Sequence, residues 1–353
     1  MSVRRIKMNE PRFVLSKSVA LEKYNEAKEL VDIVSYSSKT NSYVTKILES
    51  ETESMFSVHS VHELKNIEDK SRVMFLCQGW DADEIKSLLE MGIKFFVVDN
   101  PCDLDVLKKY LSENEVEGIN LFLRLKLKEN TLQTEKHFVF GFRSKYINEN
   151  VDELLSLPGV SSVGVHFHRK TQNMAEWELQ REIENVIDEK TLSKISYMVI
   201  GGGLPSVYAN TNTKVFQGIF SKIKSLREWL NSKGVKVINE PGRFISAPAV
   251  KLETNIKAIY ENNIIVDVSV YNSDLDALIV PVKLLVENEV EKGEGECYAI
   301  KGITPCSMDL FRYRVYFKDE PKVGDKIVFL NAGAYNFSTD FCDLPTIKTE
   351  IVA

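Results

Sequence analysis

The chain has 353 residues, of which 44% are hydrophobic and 27% charged, values that are ordinary for a globular protein with one large or two medium domains. Its net charge of -6 gives no broad basic surface for nucleic acid, and no apolar run approaches the ~20 residues of a membrane span. Five dispersed cysteines without CxxC spacing and an N-terminus without a hydrophobic signal segment favour a reducing compartment, so we expect a cytoplasmic protein.

The first 30 residues form an N-terminal segment, with a short predicted strand at 12–15 and a helix at 18–30. Apolar runs of strand length then alternate with helix-period segments, which is the pattern of parallel βαβ units. Eight strands are predicted, at 33–36, 55–58, 72–77, 94–98, 120–125, 160–167, 196–200 and 235–239. Helices are predicted at 43–48, 82–91, 103–112, 174–188 and 215–233. This count predicts a (β/α)₈ barrel over residues 31–248, with a doubly wound open sheet as the alternative.

The rhythm changes after about residue 250, where turn signals separate strand-like runs and no long helical pattern intervenes. Strands are predicted at 251–260, 263–270, 278–286, 296–301, 312–317 and 326–330. The sequence therefore predicts a second, all-β domain over residues 249–353, with which the segment 1–30 is expected to pack.

One lysine stands just past the first barrel strand. Lys39 follows the run Ile33–Tyr36 and the small residues Ser37 and Ser38. Parallel barrels keep their chemistry at this end of the strands. A lysine in such a position is more often a solvated loop residue, so its role depends on what the other strand ends carry.

Two histidines end the sixth strand. Alternation places His166 and His168 on one face. A metal pair would need a third ligand with a recognisable spacing, and none accompanies them. We therefore predict no metal site and expect an imidazole to lie against an aromatic ring instead.

The last two strands end in segments suited to an anion and a ring nitrogen. Gly201, Gly202 and Gly203 let backbone N–H groups approach a phosphate, although a tight turn would use them too. Glu240 could hold a ring nitrogen protonated and Arg243 could meet a phosphate, the alternative being a surface ion pair. Together with Lys39 and a histidine, these segments predict an aldehyde-bearing, phosphorylated, cationic aromatic cofactor, which is pyridoxal 5′-phosphate.

With these motifs in this order, the chain resembles the group IV, fold-type III pyridoxal-phosphate decarboxylases, which act on ornithine, lysine, diaminopimelate, arginine or carboxynorspermidine. The resemblance runs from Tyr36-Ser37-Ser38-Lys39 to Gly333-Ala334-Tyr335. It implies an alanine-racemase-like barrel with a C-terminal β-sandwich, and a head-to-tail homodimer with shared active sites.

The resemblance also implies roles for the matching barrel residues. Lys39 matches the Schiff-base lysine, His168 the histidine stacked on the cofactor, and Glu240 the carboxylate on the pyridine nitrogen. The positions that match phosphate-site or neighbouring cofactor residues are Thr171, Gly201, Gly202, Gly203, Arg243 and Arg124. Ser57 departs from the family, because the second strand commonly has an aspartate there.

In the β domain, Cys306 matches the catalytic cysteine that the partner subunit supplies, which would protonate the substrate Cα after CO₂ is lost. Tyr335 matches a tyrosine that contacts the cofactor phosphate, and Phe341 falls near the aromatic residue that follows it. Ser307 replaces the acidic residue that usually follows the cysteine, while Asp309 remains two positions later.

Substrate choice depends on the stretch 271–281. Val280 stands where ornithine decarboxylases carry an aspartate and diaminopimelate decarboxylases an arginine. The nearby acids Asp274, Asp276 and Asp309 are candidates to read a distal ammonium. We therefore expect a decarboxylase of an ornithine- or lysine-like diamino acid in polyamine or related metabolism.

Other activities remain open from the sequence. The alternatives are a diaminopimelate or carboxynorspermidine decarboxylase and a non-catalytic regulator resembling the antizyme inhibitors. A racemase shares the barrel but needs a second catalytic tyrosine, which the sequence does not convincingly offer.

Overall fold

A computed structural model describes residues 10–127, 140–336 and 338–353. The chain divides into two compact units. The barrel unit comprises Lys23–Pro205 and Lys214–Gly242, and the sheet unit comprises the described part of Met1–Glu22 together with Ser206–Thr213 and Arg243–Ala353.

The barrel unit contains eight parallel strands in a closed ring. In chain order, barrel strands 1 to 8 are Ile33–Ser37, Met55–Val58, Val73–Cys77, Phe95–Val98, Ile119–Arg124, Val160–His166, Tyr197–Val199 and Lys236–Asn239. Strand 1 closes the ring by pairing in parallel with strand 8, with Ile33 opposite Ile238. The predicted (β/α)₈ barrel is confirmed, and the open-sheet alternative is wrong.

Helices connect most of the strands. The α-helices that precede barrel strand 8 are Lys17–Lys28, Ser42–Glu51, Ala82–Glu90, Pro101–Glu113, Ser144–Leu155, Leu179–Val186, Glu189–Leu192 and Phe216–Asn231. Strand 2 is instead followed by the 3₁₀ turns Val61–Asn66 and Lys70–Arg72. The helix predicted at 174–188 begins only at Leu179, since the Asn173 side chain bonds to the backbone of Ala175 and Glu176 and holds that stretch in a turn.

The barrel interior is filled by apolar side chains from alternate positions. Met74, Val97, Phe122, Val199 and Ile238 form one fully buried cluster. Barrel strand 6 makes room for the largest of them with Gly164, where a Cβ would lie 2.5 Å from the Phe122 ring. The barrel is thus a packed core, and its chemistry is confined to the strand ends.

The sheet unit holds one eight-stranded, mostly antiparallel sheet. Its strands are Arg12–Ser16, Val250–Tyr260, Asn263–Val266, Leu285–Val286, Glu296–Lys301, Leu310–Phe317, Lys326–Leu330 and Lys348–Val352. The N-terminal strand pairs antiparallel with Val250–Tyr260 and parallel with Lys348–Val352. This sheet gives the predicted fold class its second element, a β domain.

Two predicted strands of this unit are wrong in part. The run predicted at 263–270 ends at Val266, and Val270–Ser273 is a helical turn. The run predicted at 278–286 begins inside another helical turn, Asp276–Ile279. For the first run the physical reason is local capping: the Ser269 and Asn272 side chains form a capping box, which favours a helical turn over an extended chain. The second turn has no side-chain cap at Leu275, and its first residue, Asp276, is instead held by Arg243.

Residues 206–213 join the sheet unit although they lie within the predicted span 31–248. The Asn331 side chain donates to the Val207 carbonyl at 2.6 Å, and the Asn210 side chain donates to the Pro281 carbonyl at 2.7 Å. The helix Arg243–Ala249 also belongs with this unit. No helix in the described ranges has the length and apolar character needed to cross a membrane.

Replacing Phe122 by Ala should lower the free energy of unfolding by about 3–5 kcal/mol, because it empties a fully buried ring from the barrel core. Urea denaturation measures the change. Tyr43→Ala, at a side chain that is 44% exposed, should change stability by less than about 1 kcal/mol. Equal effects of the two substitutions would contradict this account of the core.

Candidate active site

Lys39 lies in the 3₁₀ turn Ser38–Thr40, directly after barrel strand 1. The turn packs closely on the end of strand 8, since a Cβ at Gly242 would lie 2.1 Å from Thr40 Oγ1. Lys39 is open to solvent, yet the protein around its ammonium group lowers its pKa by desolvation. Glu240 and Glu63 oppose this shift, and Arg124 adds to it. A larger fraction of Lys39 is therefore the free amine, the form that attacks an aldehyde.

Glu240 is a buried carboxylate held from two sides. Its Oε1 accepts a hydrogen bond from Ser57 Oγ at 2.6 Å, and its Oε2 lies 2.9 Å from His166 Nε2. Burial alone would raise the pKa of Glu240, but His166 and Ser57 outweigh it and lower the pKa to about 2. Glu240 therefore stays ionised. A carboxylate must be ionised in order to hold a proton on a ring nitrogen.

His168 and His166 do not act as a pair. His166 lies against Glu240, whereas His168 Nδ1 accepts a hydrogen bond from the Gly202 backbone N–H at 3.2 Å. Burial, with His166, Arg124 and Lys39 nearby, lowers the pKa of His168 to about 4 against the pull of Glu240. His168 is thus a neutral, flat ring near neutral pH. In the described ranges, no group of three or more His, Cys, Asp or Glu side chains could hold a metal ion.

His59 is a site residue that the sequence analysis missed. It follows barrel strand 2, and its backbone N–H donates to Glu63 Oε1 at 3.0 Å. The residue is exposed on its outer side, yet desolvation by the surrounding protein lowers its pKa to about 3, with Lys39, His166 and His168 adding to the effect and Glu240 opposing it. The sequence signal that could have found it is its position just past the end of a predicted strand, as for Lys39.

The glycine loop after strand 7 has no room for side chains. A Cβ would lie 2.5 Å from the Phe167 carbonyl oxygen at Gly201, 2.6 Å from that of Glu240 at Gly202, and 2.4 Å from that of Lys170 at Gly203. Gly201 and Gly203 also have φ of +66° and +94°. The loop therefore requires glycine, and it leaves backbone close to the strand ends, as an anion cradle needs.

Thr171 lies in the segment that faces this loop, between Lys170 and Asn173, whose N–H donates to the Gly203 carbonyl at 2.9 Å. The neighbouring Arg169 pairs with Glu176 at 3.1 Å and with Glu182. Glu176 also pairs with Lys170, so these carboxylates offset the two positive charges next to Thr171.

Arg124 ends barrel strand 5. Its Nη1 donates to Asp99 Oδ1 at 3.0 Å, and its guanidinium lies 4.7 Å from the centroid of the Phe140 ring. Asp99 is buried, so this pair fixes the arginine at the strand end.

In the sheet unit, Arg243 is buried and already paired. Its Nη2 donates to Asp276 Oδ1 at 2.9 Å, its Nη1 contacts Asp276 Oδ2, and Nη1 also donates to the Tyr208 hydroxyl at 2.9 Å. The guanidinium lies 5.3 Å from the Tyr335 ring centroid. Burial would lower the pKa of Arg243, but Asp276 and Tyr208 outweigh it and raise it. Asp276, a predicted substrate acid, is therefore engaged by an arginine.

The other two predicted substrate acids differ from each other. Asp309 is buried and accepts three hydrogen bonds, from the Val270 N–H at 2.9 Å and from the Thr304 N–H and hydroxyl at 3.0 and 2.6 Å. Asp274 is buried too, and its Oδ1 has no hydrogen-bond partner among the described residues. Burial and the neighbouring Asp276 raise the pKa of Asp274 well above its ordinary value.

Cys306 and Phe341 meet at Tyr271. The Cys306 thiol lies 3.1 Å from the Tyr271 hydroxyl, and the Tyr271 ring stacks on Phe341 with centroids 3.9 Å apart. Tyr271 begins the stretch 271–281, and the sequence predicted no role for it.

Comparison with known proteins gives a consistent family. Residues 19–247 match the family described as pyridoxal-dependent decarboxylase, pyridoxal binding domain. A diaminopimelate decarboxylase from Archaeoglobus fulgidus is 28% identical over 292 residues, which cover 76% of this chain and 68% of that protein. A lysine/ornithine decarboxylase from Selenomonas ruminantium is 22% identical over 304 residues, covering 80% and 73%.

Solved structures share the fold. The lysine/ornithine decarboxylase from Vibrio vulnificus, complexed with cadaverine, has a TM-score of 0.80 at 21% identity and covers 98% of this chain and 95% of its own. The diaminopimelate decarboxylase from Helicobacter pylori, complexed with L-lysine, has a TM-score of 0.82 at 20% identity and covers 98% and 92%.

The barrel, the β domain and these matches define a fold-type III pyridoxal-phosphate enzyme. The chain belongs to the family of pyridoxal-dependent decarboxylases, as the resemblance implied, and it is a decarboxylase with pyridoxal phosphate as its cofactor.

The residues present fit this cofactor. The donor set offers a lysine biased towards the free amine, a buried carboxylate that stays ionised, a neutral flat imidazole and a loop that excludes side chains. These are the groups that an aldehyde, a pyridine nitrogen, an aromatic face and a phosphate require.

The low pKa of Glu240 predicts a pH effect. A carboxyl whose pKa falls from 4.5 to about 2 on folding stabilises the protein above pH ~4.5, and this contribution is lost as the pH falls towards 2. The stability difference between the wild type and Glu240→Gln should be constant near neutral pH and shrink below pH ~4.5, by at most about 1.4 kcal/mol per pH unit.

Urea denaturation at a series of pH values measures this difference. Glu228→Gln, at an exposed glutamate, is the matched control and should show no such trend. A difference for Glu240→Gln that grows as the pH falls would contradict the assignment.

Proposed function

We propose that the protein decarboxylates an ornithine- or lysine-like L-diamino acid to the corresponding diamine and CO₂, in polyamine or related metabolism. One observation carries this choice: the segment 274–276 buries two carboxylates, Asp274 and Asp276, and Arg243 pairs with only one of them. A distal ammonium would supply the missing partner for Asp274 and favour its ionised form, whereas a distal carboxylate would meet no cation there that is not already paired with an acid.

The relatives support a diamino-acid substrate but divide on which one. One similar protein is named lysine/ornithine decarboxylase and another diaminopimelate decarboxylase. A diaminopimelate substrate would need a cation for its distal carboxylate. Val280 stands at the position where the resemblance expects that arginine, and Arg243 is already paired with Asp276.

The barrel residues have distinct proposed roles. Pyridoxal phosphate supplies the electron sink for the bond that breaks between Cα and the carboxylate. Lys39 would hold the cofactor through its Nζ, in the free-amine form that its lowered pKa favours. Glu240 holds a proton on the ring nitrogen, and His166 and Ser57 keep Glu240 ionised and oriented. His168 covers one ring face as a neutral imidazole.

We propose that the phosphate is bound by Gly201, Gly202, Gly203 and Thr171, together with Arg243 and Tyr335, and that Arg124 lies near the cofactor. The glycine backbone N–H groups and the hydroxyls of Thr171 and Tyr335 offer hydrogen-bond donors, while the charge of Arg243 is shared with its partner Asp276. Because Asp276 and Tyr208 already orient the Arg243 guanidinium, its position is fixed before any anion binds.

Cys306 is proposed to protonate the substrate Cα, from a second copy of this chain in a homodimer with shared sites. Apolar side chains in and beyond its segment support a covered surface, since Met308 is 57% exposed, Ile303 40% and Phe341 39%. All five cysteines are free thiols, which suits the cytoplasm that the sequence predicts.

Lys39→Ala should abolish turnover, because no other group is proposed to attach the cofactor. It should also remove the visible absorbance of lysine-bound pyridoxal phosphate, which a spectrum of the purified protein measures. Lys46→Ala, at an exposed helix lysine, is the control and should keep both. Cofactor that stays covalently bound in Lys39→Ala would refute the role of Lys39.

The substrate is tested with purified protein, pyridoxal phosphate and a pool of ornithine, lysine, arginine, meso-diaminopimelate and carboxynorspermidine. Mass spectrometry should show putrescine or cadaverine appearing with CO₂. Asp274→Asn should raise the KM for that substrate about tenfold or more with a smaller change in kcat, since it removes the partner of the distal ammonium.

Asp274→Asn should also fold normally, because burial already favours the uncharged form of that side chain. Product from diaminopimelate alone would replace the proposed substrate by that one. Cofactor binding through Lys39 without any decarboxylation would favour a racemase, and absence of cofactor binding would favour a regulator.

A further inference from the structure

The segment that carries Cys306 is fastened to the helical turn Val270–Ser273 by Asp309. The Asp309 Oδ1 accepts from the Val270 N–H, at the start of the turn, and its Oδ2 accepts from the Thr304 N–H and hydroxyl. The Asp309 N–H in turn donates to the Cys306 carbonyl at 3.0 Å. Asp309 is only 1% exposed, so its carboxylate is fully used inside this unit.

The same turn delivers Tyr271 to the thiol. The Ser269 hydroxyl accepts from the Tyr271 N–H at 3.2 Å, and the Tyr271 carbonyl accepts from the Thr339 N–H and hydroxyl at 3.0 and 2.9 Å. The ring stacks on Phe341 at an interplanar angle of 26°. Backbone and ring are thus both fixed, and the hydroxyl reaches to 3.1 Å from Cys306 Sγ.

We propose that Tyr271 is a positioning residue for the decarboxylase, which holds the Cys306 sulfur and donates a hydrogen bond to it when it is a thiolate. Asp309 holds the two segments in register for this contact. The inference rests on the proposed function only in the use that it assigns to Cys306, since the contact between Tyr271 and Cys306 exists in either case.

The contact matters at the moment when the thiol gives up its proton. The S–H bond breaks, its electron pair stays on sulfur, and the proton forms the new C–H bond at the substrate carbon that has lost CO₂. The resulting thiolate then accepts a hydrogen bond from the Tyr271 hydroxyl. Hydrogen bonds to a charged acceptor are stronger than those to a neutral one, so Tyr271 stabilises the form that the transfer produces.

The direction of the ionisation equilibria agrees with this geometry. The hydrogen bond from Tyr271 is the main cause that lowers the pKa of Cys306 from its usual 9.0, and the same bond raises the pKa of Tyr271 to about 12. The pair therefore ionises first at sulfur, and the tyrosine remains a donor.

The test measures the alkylation of Cys306 by iodoacetamide over a pH series in the full-length protein, with each cysteine followed by peptide mass spectrometry. Tyr271→Phe keeps the ring and its stacking but removes the hydroxyl. It should slow alkylation of Cys306 about fivefold near neutral pH and move the midpoint of the pH profile upward. Cys102, which is exposed and lies in the barrel unit, is the internal reference and should not change.

Tyr313→Phe is the matched control, because Tyr313 is 69% exposed and has no hydrogen bond to Cys306. A thermal melt of each variant checks folding. If Tyr271→Phe unfolds, Phe341→Leu is used instead, which retains the hydroxyl but removes the stacked ring, and it should slow alkylation by a smaller factor. Identical pH profiles for Cys306 in the wild type and in a folded variant would overturn the proposal.

Turnover separates this inference from the proposed function. Tyr271→Phe should lower kcat and shift its pH profile, with little change in KM. An unchanged pH profile of kcat, together with an unchanged alkylation profile, would reject Tyr271. A different outcome is that Cys306→Ala retains the full yield of amine while Tyr271→Phe still shifts the alkylation profile of Cys306. In that case the catalytic role of Cys306 is wrong, and the contact between Tyr271 and Cys306 is supported.

Discussion

The buried carboxylate of Glu240 is the constraint on which the barrel site depends. An ionised group that is 6% exposed is stable only with partners, and the chain supplies them from two other strands: Ser57 from barrel strand 2 and His166 from barrel strand 6. The closed ring brings these residues together across more than 180 positions of sequence. Closure of the barrel therefore also sets the charge of the site, because it brings to Glu240 the two partners that keep it ionised.

The barrel was predictable because its signals are local. Each strand is a short apolar run, and Lys39, Gly201 and Glu240 follow such runs directly. The partners of Glu240 were not predictable, since Ser57 and His166 reveal their roles only when the ring is closed. The strand predicted at 263–270 shows the opposite case, in which a local capping box outweighs an apolar pattern that extends along the chain.

The acids of the sheet unit show why residue type alone does not assign a role. Sequence places Asp274, Asp276 and Asp309 together as candidates for one distal group. In the structure, Asp276 pairs with Arg243, and Asp309 accepts hydrogen bonds from the backbone of two segments. Asp274 is the acid of the three whose Oδ1 has no hydrogen bond among the described residues. A buried carboxylate is available to a ligand only if hydrogen bonds and ion pairs within the fold do not already use its oxygen atoms.

The inclusion of residues 206–213 in the sheet unit bears on how such a protein can be divided or recombined. This stretch lies between barrel strands 7 and 8, yet its hydrogen bonds run to Pro281, Lys283 and Asn331. A fragment that ends at 248 would expose these backbone groups, and a sheet unit exchanged for a distant relative's would have to supply matching acceptors and donors. The sheet unit is therefore discontinuous in sequence, and a cut at residue 248 divides the unit itself and does not fall between the two units.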